Sequence, residues 1–183
     1  MREDLGLEKS EVRLASPNPT WTVLGEAECH VVEELLVGLA RAVEHIGSTS
    51  VPGLEAKPIL DLAAAVPDDT PADDVVARLG ASGPYAYQGD KGKDGGLLFV
   101  RRQGSFRTVH LHVVHEGSQE WDDYLRFREL LQRNPGARQR YQSAKRELAL
   151  RFPLDRRCYT EAKSAVVEEL LGIERRHAAA HAD

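Results

Sequence analysis

One run of eight residues constrains the fold of this chain more than any other feature. Residues 59–66 are apolar except for Asp61, and Pro58 and Pro67 flank the run. The length suits a strand buried in a sheet, and no apolar run in the sequence approaches the roughly 20 residues of a membrane-spanning helix. A carboxylate in such a strand is costly unless a metal ion, a cationic partner or solvent at the strand end stabilises it. Asp61 therefore indicates a functional site.

Periodicity and turn residues predict the remaining elements. Helical spacing of apolar residues predicts a first helix from about Ala27 to Arg41, and Thr70-Pro71 is typical of the start of a second. Strands are expected at 43–46, 85–88, 97–101 and 107–114, and three amphipathic helices at about 118–173. Strands mixed with segregated helices indicate an α+β fold with a mixed sheet, flanking helices and a C-terminal helical bundle. We expect one domain over residues 1–183, with its core at about 17–114.

Composition narrows the class of protein. The 183 residues are 42% hydrophobic, which is enough for a sizeable core and excludes disorder for most of the chain. The formal net charge of −5 argues against general nucleic-acid binding. Cys29 and Cys158 lie far apart, which fits a reducing cytosol and argues against a zinc-thiolate site. The N-terminus lacks the apolar segment of a secretory signal, so we expect a cytoplasmic protein.

Charge is unevenly distributed along the sequence. Residues 121–163 contain 11 Lys and Arg against 6 Asp and Glu. Two interpretations remain open: amphipathic helices with basic faces in solvent, or a positively charged wall that faces an anionic substrate.

Candidate ligand-binding residues concentrate between His45 and Val66. Gly47 allows the backbone to approach a ligand closely, and the turn that follows it can form an anion-binding nest. That turn carries the hydroxyls of Ser48, Thr49 and Ser50. Lys57 adds a positive charge and Asp61 a carboxylate. Together these groups predict a site for a phosphate and a divalent cation.

Two histidines on a later strand are candidates for the same site. His110 and His112 are two residues apart, so their side chains share one face of the strand. Such a pair can bind a metal ion, donate to substrate, or simply form the polar face of a sheet. Arg101 precedes this strand and is a candidate for binding substrate phosphates. We expect Ser48, Asp61 and the two histidines to converge on one cleft.

The motif around these residues resembles a known family. HIGSTSVPGLEAKPILDL at 45–62 is similar to the signature of the GrpB family, a group within the nucleotidyltransferase (DNA polymerase beta-like) superfamily. The resemblance continues in HLHVV at 110–114, WDDYLRFRELL at 121–131 and YTEAKSAVVEELL at 159–171. It covers about residues 17–172 and implies a nucleotidyltransferase-like sheet.

The resemblance also implies a catalytic arrangement. Superfamily members carry a Gly-Ser turn, two carboxylates on the next strand and a third acid on a later strand, and these acids bind two divalent metal ions. Gly47 and Ser48 match the turn, and Asp61 matches the first carboxylate. Ala63 stands where the second carboxylate is expected. His110 or His112 could substitute for that ligand.

Two hypotheses of function follow. The first is a metal-dependent nucleotidyltransferase that moves a nucleotidyl group from a nucleoside triphosphate to an unknown acceptor, with Asp61, His110 and His112 as catalytic residues and ligands of Mg²⁺ or Mn²⁺. The second is a catalytically inactive module that binds a nucleotide or phosphate. Ala63 favours the second hypothesis, whereas the retained acid and histidines favour the first. Whether the protein is an enzyme is left open.

Overall fold

The computed structural model describes residues 5–81, 83–92 and 96–180. Within them lie five strands: β1 (Ala42–Ile46), β2 (Leu60–Val66), β3 (Tyr85–Asp90), β4 (Leu97–Gln103) and β5 (Phe106–His115). The same residues contain five helices: α1 (Thr20–Leu35), α2 (Ala72–Ala81), α3 (Gln119–Arg133), α4 (Pro135–Arg151) and α5 (Arg156–Ala180). A single 3₁₀ turn at Ser48–Ser50 follows β1.

The five strands form one mixed sheet in the order β1-β2-β5-β4-β3. Strand β2 runs parallel to β5 and antiparallel to β1, while β4 is antiparallel to both β5 and β3. The predicted α+β fold with a mixed sheet and flanking helices is confirmed. The buried strand predicted at residues 59–66 is the interior strand β2, and β5 occupies the middle of the sheet.

Helices α1 and α2 cover one face of the sheet. Alternate residues of β2 and β5 point to that face, as the period of two in a strand requires. The main core contains Leu60, Leu62, Val109, Leu111 and Phe99 from the strands and Val32, Leu36, Val75 and Leu79 from the helical side. The sequence predicts this burial because the apolar run of β2 has no polar residue at these positions.

The opposite face carries Asp61, Ala63 and Ala65 of β2 and receives the C-terminal helices. Helix α3 contacts β1, β2 and β5, and α4 and α5 pack on α3 and on each other. A second core forms there from Val51, Leu54, Phe127, Leu131, Tyr141, Leu170 and Leu171. The predicted C-terminal bundle is therefore present, and it lies over the strand residue that the sequence identifies as functional.

Two predicted helix boundaries are wrong. The first helix was expected at about 27–41, but α1 begins at Thr20, where the side chain of Asn18 accepts a hydrogen bond from the Thr20 amide at 2.9 Å. It ends at Leu35, and Gly38 with φ +81° completes the reversal. In the last helix the apolar residues that recur at helical spacing start at Ala162, whereas α5 begins at Arg156. Apolar periodicity places the buried part of a helix well and its polar first turn poorly.

Two further predictions concern loops and membranes. The glycine-rich sequence of residues 89–96 predicts a hairpin tip or a loop, and it joins β3 to β4, which form an antiparallel pair. Residues 93–95 lie outside the described residues. In the described part of the chain, no helix has the length and apolar character to cross a membrane.

Candidate functional site

The turn after β1 packs against Asp61. We use the term cleft for the partly exposed surroundings of the Asp61 carboxylate. Gly47 adopts φ +70° and ψ −168°, a conformation that L side chains rarely adopt. A Cβ atom at this position would lie 2.8 Å from Oδ2 of Asp61. Glycine is therefore required here both by the backbone conformation and by the packing of the turn against the carboxylate.

The three hydroxyls of the turn do not share one role. Oγ1 of Thr49 is 2.9 Å from Nε2 of His45, and Oγ of Ser50 donates to the carbonyl of Gly47 at 2.7 Å. Both residues are buried, so their hydroxyls stabilise the turn and do not face a ligand as the sequence suggested. Ser48 is half-buried, and its Oγ accepts a hydrogen bond from Nζ of Lys145 at 3.1 Å. Its own O–H remains able to donate to a ligand.

Helix α3 holds the turn from the side. Nη1 of Arg128 donates to the carbonyl of His45 and to Oε2 of Glu44, both at 2.8 Å. Nε2 of Gln132 donates to the carbonyl of Ser50 at 3.2 Å. The C-terminal bundle therefore positions the turn as well as covering the sheet.

Asp61, His110 and Arg156 form a hydrogen-bonded chain across the cleft. Asp61 and His110 are register partners on parallel strands, and Oδ1 of Asp61 is 3.0 Å from Nδ1 of His110. Nη2 of Arg156 is 3.0 Å from Nε2 of His110. Because a guanidinium group can only donate, Nε2 accepts, and Nδ1 carries the proton that is donated to Asp61. The imidazole is therefore neutral, and burial lowers the pKa of His110 to about 4 in agreement.

The carboxylate of Asp61 is ionised and partly open to solvent. Burial opposes its charge, but the hydrogen bond from His110 and the charges of Lys57 and Lys163 hold its pKa well below the usual range. About a third of the side-chain surface, 34%, is exposed. The cationic partner that the sequence requires for this acid is thus supplied by several residues at once.

Three lysines interact electrostatically with this carboxylate. Nζ of Lys57 lies 5.0 Å from the ring centroid of Tyr159, and Nζ of Lys145 lies 4.7 Å from that of Tyr141. Burial and the neighbouring cations lower the pKa of Lys57 and of Lys145 to about 7. Lys163 is a neighbour of both, and the adjacent Tyr141 raises its pKa. An anion bound among these groups would relieve their mutual repulsion.

Two predicted residues lie elsewhere. His112 shares the face of His110 but stands opposite Ala63 in register, with its ring 5.5 Å from that of Tyr124. Arg101 is a register partner of Val109 and points to the α1 face, where its Nη1 bonds both carboxylate oxygens of Glu28 at 2.5 and 2.7 Å. Arg101 is therefore not part of the cleft, because strand alternation directs it away from His110.

Comparison with known proteins identifies the family. The family model described as "GrpB protein" matches residues 11–172. The chain belongs to the GrpB family. It is 34% identical over 164 residues to the UPF0157 protein PA4798 of Pseudomonas aeruginosa, covering 88% of this chain and 66% of that protein. It is 31% identical over 170 residues to the Glutamate-rich protein GrpB of Alkalihalophilus pseudofirmus, covering 91% of this chain and 98% of that protein.

A solved structure shares this fold. The crystal structure of conserved protein GrpB from Enterococcus faecalis aligns with a TM-score of 0.75 and 29% sequence identity. The alignment covers 88% of this chain and 99% of that one. The resemblance of the motifs to the GrpB family is confirmed, and the names of these relatives state no activity.

The donor set of this GrpB-family protein does not fit a resident metal ion. The described side chains include no group of three His, Cys, Asp or Glu residues placed to hold one. Both ring nitrogens of His110 are engaged in hydrogen bonds. The charges of Lys57 and Lys163 stabilise ionised Asp61, and the charge of Asp61 favours the charged form of Arg156. Glu44, opposite Ala63 in register, is held by Arg128. We therefore derive no step through a metal ion.

One residue of the cleft was not predicted from the sequence, and the roles of two others were left open. Arg156 lies in the first turn of α5, which periodicity did not detect. Lys145 and Lys163 occur on the apolar sides of their helices, and the sequence left open whether they bury only their stems. The signal that could have found them is a lysine at a core position between aromatic residues, since Lys145 is only 1% exposed.

Proposed function

We propose that this GrpB-family protein binds a phosphorylated small molecule, and a nucleotide is the class we favour, in the cleft around Asp61. One observation carries the proposal: Lys57, Lys145, Lys163 and Arg156 all interact electrostatically with Asp61, and the other nearby acid, Glu55, is paired with Arg146. Lys145 is buried and the other three cations are half-buried. Cations gathered in such a site without an equal number of anions are costly, and a phosphate with two negative charges would stabilise them.

Different polar groups of the cleft bind different parts of the ligand. The O–H of Ser48 and Nζ of Lys145 can donate to phosphate oxygens. The negative charge of Asp61 repels a phosphate, but its oxygens can accept a hydrogen bond from a hydroxyl of the ligand. His110 positions Asp61 through the bond to Nδ1. A ligand with a phosphate and a neighbouring hydroxyl matches this set, which supports a nucleotide over inorganic phosphate.

Metal-dependent nucleotidyl transfer is the second candidate. The Gly47-Ser48 turn, followed by Asp61 on the next strand, favours it, because this order along the chain matches the pattern of the nucleotidyltransferase superfamily. The two candidates differ in the expected role of Asp61. In an anion-binding cleft its charge repels phosphate, whereas in a metal-dependent enzyme it recruits the phosphate through the ion.

Calorimetric titration with adenosine triphosphate tests both candidates. Wild type and Asp61→Asn are each titrated in EDTA, in Mg²⁺ and in Mn²⁺. We expect wild type to bind in EDTA and Asp61→Asn to bind as tightly or severalfold more tightly, because a repulsive charge is removed. Lys145→Met should weaken binding at least about tenfold, while exposed Lys9→Met, the matched control, should leave it unchanged.

Each other outcome has a definite meaning. Binding by wild type that needs a divalent cation and is lost in Asp61→Asn would replace our proposal with the metal-dependent transferase. Release of diphosphate from the nucleotide would then be the activity to measure. No binding of nucleotide or orthophosphate under any of these conditions would overturn both candidates.

A further inference from the structure

Two arginines of the cleft keep buried donors without partners. In the described part of the chain, four buried side-chain nitrogen or oxygen atoms have no hydrogen-bond partner, and two of them are Nε of Arg107 and Nη1 of Arg156. A buried donor without a partner costs about 1–3 kcal/mol, and more when the group is charged. The contacts of the folded chain do not explain these two donors, whereas a bound anion would.

The two arginines and Lys57 form one group of positive charges. Burial and then the charge of Arg156 lower the pKa of Arg107. Burial, followed by Arg156 and Lys163, lowers the pKa of Lys57, and Arg107 adds to that effect. Arg156 also contacts His110, which in turn bonds Asp61. This group therefore lies at the His110 end of the cleft.

The anion-binding groups of the Gly47 turn form a different centre. Lys145 donates to Ser48 and to the backbone carbonyl of Glu55. Lys163 and Lys57 are the cations that most lower its pKa, after burial. Ser48 and Lys145 together provide donors for one anionic group. The unpartnered nitrogens of Arg107 and Arg156 provide donors for another.

We propose that Arg107 and Arg156 form a second anion subsite, so that the ligand of this cleft carries two separate anionic groups. The inference rests on the proposed function, because it assumes that the Ser48 turn binds the first of these groups. A guanidinium group bonds two oxygens of a phosphate or carboxylate at once, and such bonds are stronger than neutral ones. The ligand class is therefore a diphosphate, or a phosphate joined to a carboxylate.

The test compares ligands that carry one or two anionic groups. The full chain is titrated calorimetrically with orthophosphate, diphosphate and phosphoglycolate. Diphosphate carries a phosphate as its second anionic group, whereas phosphoglycolate carries a carboxylate. We expect at least one of the two-group ligands to bind tenfold or more tightly than orthophosphate. Arg107→Gln should reduce that preference at least fivefold and leave orthophosphate affinity within twofold. Arg133→Gln, at an exposed arginine of α3, is the control and should preserve the preference.

The outcomes separate this inference from the proposed function. Failure of orthophosphate and nucleotide to bind would overturn the proposed function. Binding of orthophosphate without any gain from a second anionic group would overturn the second subsite alone. An equal loss for all three ligands in Arg107→Gln would also overturn it. If Arg107→Gln does not fold, Arg156→Lys replaces it in the test, because a lysine cannot bond two oxygens from one plane. Wild type should then prefer the ligands with two anionic groups, and Arg156→Lys should lose that preference.

Discussion

At the scale of single residues, two lysines have surroundings that oppose their charge. Lys57 and Lys145 have pKa values lowered to about 7, mainly by burial and then by other cations. A bound anion favours the charged form of both. Binding should therefore raise these pKa values towards the ordinary value near 10 and take up protons from solution.

We predict that affinity for sulfate falls about tenfold from pH 6.5 to 8.5. Sulfate keeps the same charge across this range, so the change reports on the protein. Below pH 7 the lysines are charged before binding, whereas at pH 8.5 they must first gain protons. Calorimetry in two buffers of different ionisation enthalpy measures the uptake, which Lys57→Met should reduce. Constant affinity with no proton uptake would contradict the assignment of these lysines to the anion site.

The structure brings several of the residues predicted from the sequence together, but the sequence could not rank their roles. Asp61 was identified because a carboxylate in an apolar strand needs partners, and Gly47 because a glycine in a turn lets the backbone approach a ligand closely. Thr49 and Ser50 looked equivalent to Ser48 in sequence. Only the direction of each hydroxyl in the folded turn separates the one that faces the cleft from the two that stabilise the backbone.

At the scale of elements, the contact between α1 and β1 fixes the strand that leads into the turn. Gly25 of α1 lies against the ring of His45, and a Cβ atom on Gly25 would be 2.1 Å from Nδ1 of that ring. His45 is buried, and burial lowers its pKa to about 4. Its Nε2 then meets Thr49 in the turn. A glycine inside a helix is thus required by packing and not by backbone conformation.

We predict that Gly25→Ala destabilises the protein by about 1–3 kcal/mol, because the added methyl group overlaps the imidazole. Gly80→Ala is the matched control: it is also a glycine within a helix, but nothing lies within 4 Å of the added atom. That change should be neutral or stabilising by up to about 1 kcal/mol. Urea denaturation of both variants measures the difference. Equal effects of the two substitutions would show that helix propensity, and not packing on His45, governs position 25.

At the scale of the whole molecule, the cleft forms where the sheet meets the C-terminal helices. The sheet contributes Asp61 and His110, and α4 and α5 contribute Lys145, Arg156 and Lys163. The positive charges are held close together by the packing of two hydrophobic cores. Because charges held this close destabilise the folded state, the protein should become more stable when one of them is removed.

We predict that Lys57→Met raises the stability of the ligand-free protein by about 1–2 kcal/mol at pH 7, or several degrees in Tm. The lowered pKa of Lys57 means that folding opposes its charge, so the cost is full below pH 7. It disappears as pH rises towards the ordinary lysine pKa near 10. The gain should shrink accordingly between pH 7 and 10, and anion affinity should fall. Lys9→Met, at an exposed lysine, serves as control; a loss of stability in Lys57→Met alone would contradict the prediction.

The sequence alone determined the elements and the acid at the centre of the cleft, because local periodicity and the cost of burying Asp61 are both readable from neighbouring residues. The strand that carries His110 was predicted to face the same site, and the register of β2 with β5 confirms it. Only the tertiary structure decided which cations join them. Lys145, Arg156 and Lys163 lie more than 80 residues from Asp61 in sequence, and their convergence depends on how α4 and α5 pack over the sheet. A lysine at a core position between aromatic residues can indicate burial, but no local pattern encodes which strand residues it meets, because that depends on the packing of the helices on the sheet.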